Sequence, residues 1–148
     1  MTTVHHLLGQ KSKEIWSVSP DSTLRDALKL MLGHELGVVV VNDAQGMVGI
    51  FSERDFARAV ARNENLSLNS PVSELMTTQV YCVHAEDLIE DCMALMTARR
   101  IRHLPVQQGK EVVGMISIGD VVREIVSQKD TTIRSLEDYI MGREYSSG

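Results

Sequence analysis

The chain is poor in cysteine: its 148 residues contain two, Cys82 and Cys92. They lack zinc-ligand spacing, and a disulfide scaffold is unnecessary at a length that buries its own core. Both are expected as buried thiols in a reducing compartment. Long apolar runs are absent. The opening stretch MTTVHHLLGQKSKEIW has no apolar block behind a positive start, so no secretory signal is expected. Nothing approaches the ~18 consecutive apolar residues of a membrane span, and a cytoplasmic protein without membrane contact is the expectation. Basic charge is also short: 15 Lys and Arg stand against 20 Asp and Glu, for a formal net charge of −5. A nucleic-acid backbone would be repelled overall, although a small anion can still be held by a local basic cluster.

The signatures of an active site are missing too. There is no Ser/His/Asp or Cys/His arrangement, no metal-ligand spacing and no Gly-rich phosphate loop. His5 and His6 are adjacent, which is poor geometry for one helical metal face, and both read as solvent-exposed. No catalysis, no metal and no required cofactor are expected.

What the sequence does contain is itself, written twice. A shift of 65 positions aligns Val18 with Val83, Asp26 with Asp91, Leu30 with Leu95 and Met31 with Met96. Val48/Val113, Gly49/Gly114, Ser52/Ser117, Asp55/Asp120 and Arg58/Arg123 continue the register without a gap. Two copies of one fold unit are implied, at 9–62 and 73–127. Residues 1–8 read as an extension, 63–72 (NENLSLNSPV) as a linker and 128–148 as a C-terminal helix and tail. Within that tail Ile133, Leu136 and Ile140 fall at helical spacing.

Each copy reads as strand, helix, strand, hairpin, strand, helix, which is a mixed α/β (α+β) unit. EIWSV and QVYCV are short β-type runs. Leu24, Ala27, Leu28 and Met31 form one helical stripe, with Ile89, Cys92, Met93 and Met96 as its counterpart. Ser22 and Asp87 are candidate N-caps. GVVVV reads as a strand buried on both faces, and NDAQG and QQGKE as the turns into MVGIF and VVGMI. Leu30, Leu32, Ala94 and Leu95 widen the apolar arcs beyond what one sheet covers. Packing of the two copies on each other would use that surface. A homodimer with helices meeting across a two-fold axis would use it too, and is the favoured reading.

The repeated Ser-x-x-Asp has two readings. As a capping box, Ser52 and Asp55, or Ser117 and Asp120, satisfy the first N–H groups of a helix and need no ligand; such a cap contributes about 1 kcal/mol. As a site, the same helix start after a buried strand suits an anion. The Ser would meet a phosphate and the Asp a ribose diol. Cations for such a phosphate are unevenly supplied. TARRIRHLPV places Arg99, Arg100, Arg102 and His103 in the second copy, against His34 alone in LGHELGVVVV of the first. Arg102 and His103 are preferred, since a strand beside a cleft aims one of them inward. Arg54 sits in a first helical turn, where a cation is unfavourable unless an anion is near.

Two copies of strand–helix–strand–strand–helix, each ending in Gly, two apolar residues and Ser-x-x-Asp, resemble a cystathionine-β-synthase (CBS) domain pair, or Bateman module. The likeness runs over about residues 9–127. It implies tandem units, each a small three-stranded sheet with two helices, related by pseudo-two-fold symmetry. It also implies two clefts between the copies that hold AMP, ADP, ATP, NAD or S-adenosylmethionine. One cleft would combine Asp120, Ser117 and His103 with Ile15 and Ser17. The other would combine Asp55, Ser52 and Arg54 with Thr78 and Val80, and Arg102 would serve it from the other copy. The implied role is regulatory, with a flat homodimer and a regulated protein partner. The alternative is a ligand-free interaction adaptor working through the dimer surface or C-terminal helix.

Overall fold

The 65-residue repeat is visible in the hydrogen bonds. The computed structural model describes residues 2–10 and 14–128, so the stretch carrying Ile133, Leu136 and Ile140 lies outside the described residues. The elements are α1 (Val4–Gly9), β1 (Ser17–Val18), α2 (Leu24–Gly33), β2 (Val38–Asp43), β3 (Gly46–Ser52) and α3 (Glu53–Arg62). A 3₁₀ turn (Val72–Glu74) leads to α4 (Ile89–Arg99), β4 (His103–Gln108), β5 (Glu111–Ser117) and α5 (Ile118–Gln128). The β2–β3 and β4–β5 hairpins share one antiparallel register, with Val38 opposite Ser52 and His103 opposite Ser117. Each has its bulge at the same place, after Val41 and after Val106. The valines of β2 are buried on both faces, as four in succession imply.

The leading strands are weaker than their sequences suggest. EIWSV contributes two residues to a three-stranded sheet of order β1-β2-β3, parallel to β2. QVYCV supplies a single parallel bridge, Val83 to Val106, so the second sheet has two strands. Burial accounts for this: Val83 enters the core, while Gln79 and Tyr81 are exposed and Arg99 lies 5.1 Å over the Tyr81 ring. The candidate caps are also corrected. Helix α2 starts at Leu24, and its cap is Thr23, whose Oγ1 accepts from Asp26 N at 3.1 Å. Ser22 Oγ instead accepts from Ser19 N. Asp87 Oδ2 accepts from His84 N at 2.8 Å, and α4 begins after Leu88 without a side-chain cap.

Each half has its own core, and each core is completed from outside the half. In the first, Leu24, Ala27, Met31, Val39, Val41 and Phe51 pack with Val72, and Leu66 and Leu68 lie against them. In the second, the equivalents of these residues pack with Val4 and Leu7 of α1. The two lead-in segments are bonded alike. Val72 N donates to Ser22 O and Ser73 N to Pro20 O; Val4 N donates to Asp87 O and His5 N to Ala85 O. Residues 2–9 thus do for the second half what residues 70–76 do for the first. Of the two histidines in α1, both exposed, His6 sits 3.3 Å from Glu124 of α5 and ties that helix down.

This crossing explains the glycine of each motif. A Cβ on Gly49 would lie 2.7 Å from Thr77 O and 2.9 Å from Met76 Sδ; one on Gly114 would lie 2.5 Å from Leu8 Cδ2. The obstacle at Gly49 includes backbone, and that at Gly114 is the end of a flexible side chain. Gly49→Ala should therefore cost about 1–3 kcal/mol in chemical denaturation, and Gly114→Ala distinctly less.

Cys92 is buried at 1% exposure and Cys82 is half-buried; both are free thiols. Burial first, then the nearby carboxylates of Asp87 and Asp91, push the Cys92 thiol up to about 11 from 9.0. The folded protein then holds that proton where the unfolded chain releases it, so stability contributed by Cys92 is lost as pH rises from 9.0 toward about 11. Urea titrations across that window should show a shallower decline in Cys92→Ala than in the wild type.

Candidate functional site

Two clefts open between the halves, each at the N-terminus of a motif helix. One, of ≈ 800 Å³, is lined by Ser52, Arg54 and Asp55 of the first half and by Arg102 and His103 of the second. Thr77, Val80 and Tyr81 form part of its wall. The other, of ≈ 1040 Å³, is lined by Ser117 and His103 together with Ile15, Trp16, His34 and residues of α1. His103 borders both, and its ring lies 3.4 Å from where a Cβ on Gly37 would sit.

The capping box is real in both motifs. Ser52 Oγ accepts from Asp55 N at 3.1 Å, and Ser52 N donates to Asp55 Oδ2 at 2.9 Å. Ser117 Oγ and Asp120 Oδ2 repeat this at 3.1 and 2.8 Å. The two carboxylates then part company. Asp55 Oδ2 also takes the Ser52 hydroxyl at 3.0 Å and Oδ1 takes the Thr77 hydroxyl at 2.9 Å. These three donors leave about one of the roughly four lone-pair positions of an ionised carboxylate for a ligand, and Asp55 lines its cleft. Asp120 is 7% exposed, its Oδ1 is 2.6 Å from Arg123, and it does not line the cleft that Ser117 borders. The expected residues Ser17 and Thr78 are likewise outside the cleft walls. Ser17 is an exposed residue of β1, paired with Val40. Thr78 is exposed, and its neighbour Thr77 takes the place beside Asp55. Thr77 was not legible in the sequence, because its role depends on the antiparallel bridge it forms with Ile50.

The basic residues come together as TARRIRHLPV suggests, and they line the cleft at the motif of the other half. Arg54 and Arg58 of α3 meet Arg99, Arg100 and Arg102 in the Asp55 cleft. Arg54 Nη1 donates to Arg100 O at 3.2 Å. In the Ser117 cleft the described wall carries His5, His34 and His103 with Glu14 and Glu35, and Trp16 stacks on His34 at 3.6 Å. Among the described residues no cluster of His, Cys, Asp or Glu could hold a metal ion, and no helix is long and apolar enough to cross a membrane.

The helix ends beside the clefts are also duplicates. Leu36 N donates to Met31 O and Ile101 N to Met96 O, closing α2 and α4 with Schellman turns. The residue that must turn left-handed is Glu35 in one and Arg100 in the other, each at φ 54°. Glycine meets no Cβ penalty there, whereas other residues do, by about 1 kcal/mol. Glu35→Gly and Arg100→Gly should each raise the denaturation free energy by roughly 0.5–1 kcal/mol.

Comparison with known proteins bears directly on these clefts. The sequence model of the CBS domain matches residues 11–62 and 72–127. The chain is 35% identical over 151 aligned positions to the mitochondrial CBS domain-containing protein CBSX3 of Arabidopsis thaliana, covering 95% of this chain and 73% of that protein. It is 40% identical to the CBS-domain containing protein ATU1752 of Agrobacterium tumefaciens, with a TM-score of 0.78 over 82% of this chain and 92% of that one. At 25% identity it superimposes on the CBS domain pair of protein MJ0100, solved in complex with 5′-methylthioadenosine and S-adenosyl-L-methionine. The TM-score there is 0.73, over 84% of this chain and 99% of that one.

Proposed function

The chain belongs to the CBS-domain family, and from that premise we propose that it is a regulatory module that binds adenine nucleotides between its halves and performs no catalysis. AMP, ADP and ATP are the ligands of first choice, with NAD as a further one. The observation that carries this is the Asp55 cleft. In one ≈ 800 Å³ space it joins a helix N-terminus, a carboxylate with acceptor capacity left, guanidinium groups, and an apolar wall of Val38, Ile50, Val80 and Ile101. Asp55 accepts from the sugar, the Ser52 hydroxyl turns its proton from Asp55 to the phosphate beside the α3 N–H groups, Arg54 and Arg102, and the wall takes the base. The MJ0100 pair, which holds two adenosyl compounds, supports the same class of ligand. In the Ser117 cleft Ser117, His103 and Ile15 are the corresponding residues; Asp120, 7% exposed, joins them only by turning outward.

A homodimer in the cytoplasm completes the reading, with Leu32 at 83% exposure and Val60, Val122 and Val126 available for the contact. The adaptor alternative shares that surface and needs no ligand.

Thermal melting separates the two. AMP, ADP, ATP or NAD should raise the melting temperature, since a ligand that binds only the folded state at ~100 times its Kd adds about 2.7 kcal/mol. Asp55→Ala should lower basal stability by a cap's worth, about 1 kcal/mol, and weaken the ligand tenfold or more. An undiminished ligand shift in Asp55→Ala would reduce Asp55 to a cap, and no shift with any adenosine compound would hand the function to the adaptor.

A further inference from the structure

The Asp55 cleft carries more positive charge than an adenosine monophosphate can neutralise. Among the described residues its wall presents five guanidinium groups, Arg54, Arg58, Arg99, Arg100 and Arg102, against two carboxylates, Glu53 and Asp55, an excess of three in a chain of net charge −5. Among the described residues none of the five lies within ion-pair distance of a carboxylate, whereas Arg123 lies 2.6 Å from Asp120. Arg54 contacts a carbonyl and Arg99 an aromatic face, which leaves most of their donors available. The helix dipole accounts for Arg99 and Arg100 at the C-terminal end of α4. It does not account for Arg54, which lies in the first turn of α3, at the end where a cation is disfavoured, and it does not act on Arg58 in the middle of that helix. Two helices of opposite sense thus aim like charges at one open space, an arrangement that repels itself unless an anion sits between them.

We infer that the Asp55 cleft is a polyphosphate site, which prefers nucleoside di- and triphosphates to monophosphates and reads the additional phosphates through Arg100 and Arg102. A monophosphate brings at most two negative charges, while a di- or triphosphate brings three or four and matches the excess. The sugar and base part of this ligand rests on the adenine-nucleotide reading above; the phosphate part does not. Among the described residues the wall of the Ser117 cleft bears no Lys or Arg, and the inference is drawn for the Asp55 cleft.

The test is a calorimetric series on the full chain with adenosine, AMP, ADP, ATP and inorganic tripolyphosphate, at low and high salt. The comparison protein is the double variant Arg100→Gly/Arg102→Ala. Arg100→Gly removes a guanidinium from a left-handed position that glycine adopts more readily, so weakened binding does not reflect unfolding. Affinity should rise about fivefold to tenfold per phosphate, less so at high salt. The double variant should lose about thirtyfold or more for ATP and less than about threefold for adenosine. Equal affinities for AMP and ATP, unchanged in the variant, overturn the inference and leave the nucleotide reading intact. Tripolyphosphate binding as tightly as ATP, and lost in the variant, sustains the inference and overturns the nucleotide reading. Silence from all five compounds overturns both.

Discussion

The structure depends on a crossing. Neither half closes its own core: Val72 and the linker complete the first, and Val4 and Leu7 of α1 complete the second. Each lead-in segment passes so close to a hairpin that a side chain on Gly49 or Gly114 would strike it. The recurring Val-Gly is therefore a record of that close approach. Each half keeps a separate core, and the two clefts lie between them.

Capping a helix and accepting from a ligand are compatible uses of one carboxylate. An ionised carboxylate has more acceptor positions than a cap requires. Asp55 meets the cap with Oδ2 and keeps capacity on Oδ1, where Thr77 holds it at the cleft wall. Asp120 meets the same cap and places its second oxygen on Arg123, below the surface. Duplicate sequence thus yields one acid facing a cleft and one turned from it.

Duplication also leaves the clefts electrically unlike. The α2–β2 turn is HELG and the α4–β4 turn is RRIRH, and each turn borders the cleft of the opposite motif. The backbones agree down to the left-handed residue that ends each helix, Glu35 or Arg100. Backbone geometry is fixed by hydrogen bonds that any residue supplies, while the side chains at these exposed positions were free to diverge.

The sequence by itself determined the repeat, its register, the two hairpins, the helical stripes and the capping boxes. All of these follow from local periodicity and short-range bonding. Most of the candidate residues it offered also line the clefts: Ser52, Arg54, Asp55, Val80, Arg102, His103, Ile15 and Ser117. Tertiary structure alone decided that QVYCV pairs through one residue and that Thr77 and not Thr78 stands beside Asp55. These turn on which segment arrives at an edge or a carboxylate from elsewhere in the chain. No pattern within a single stretch encodes such a meeting.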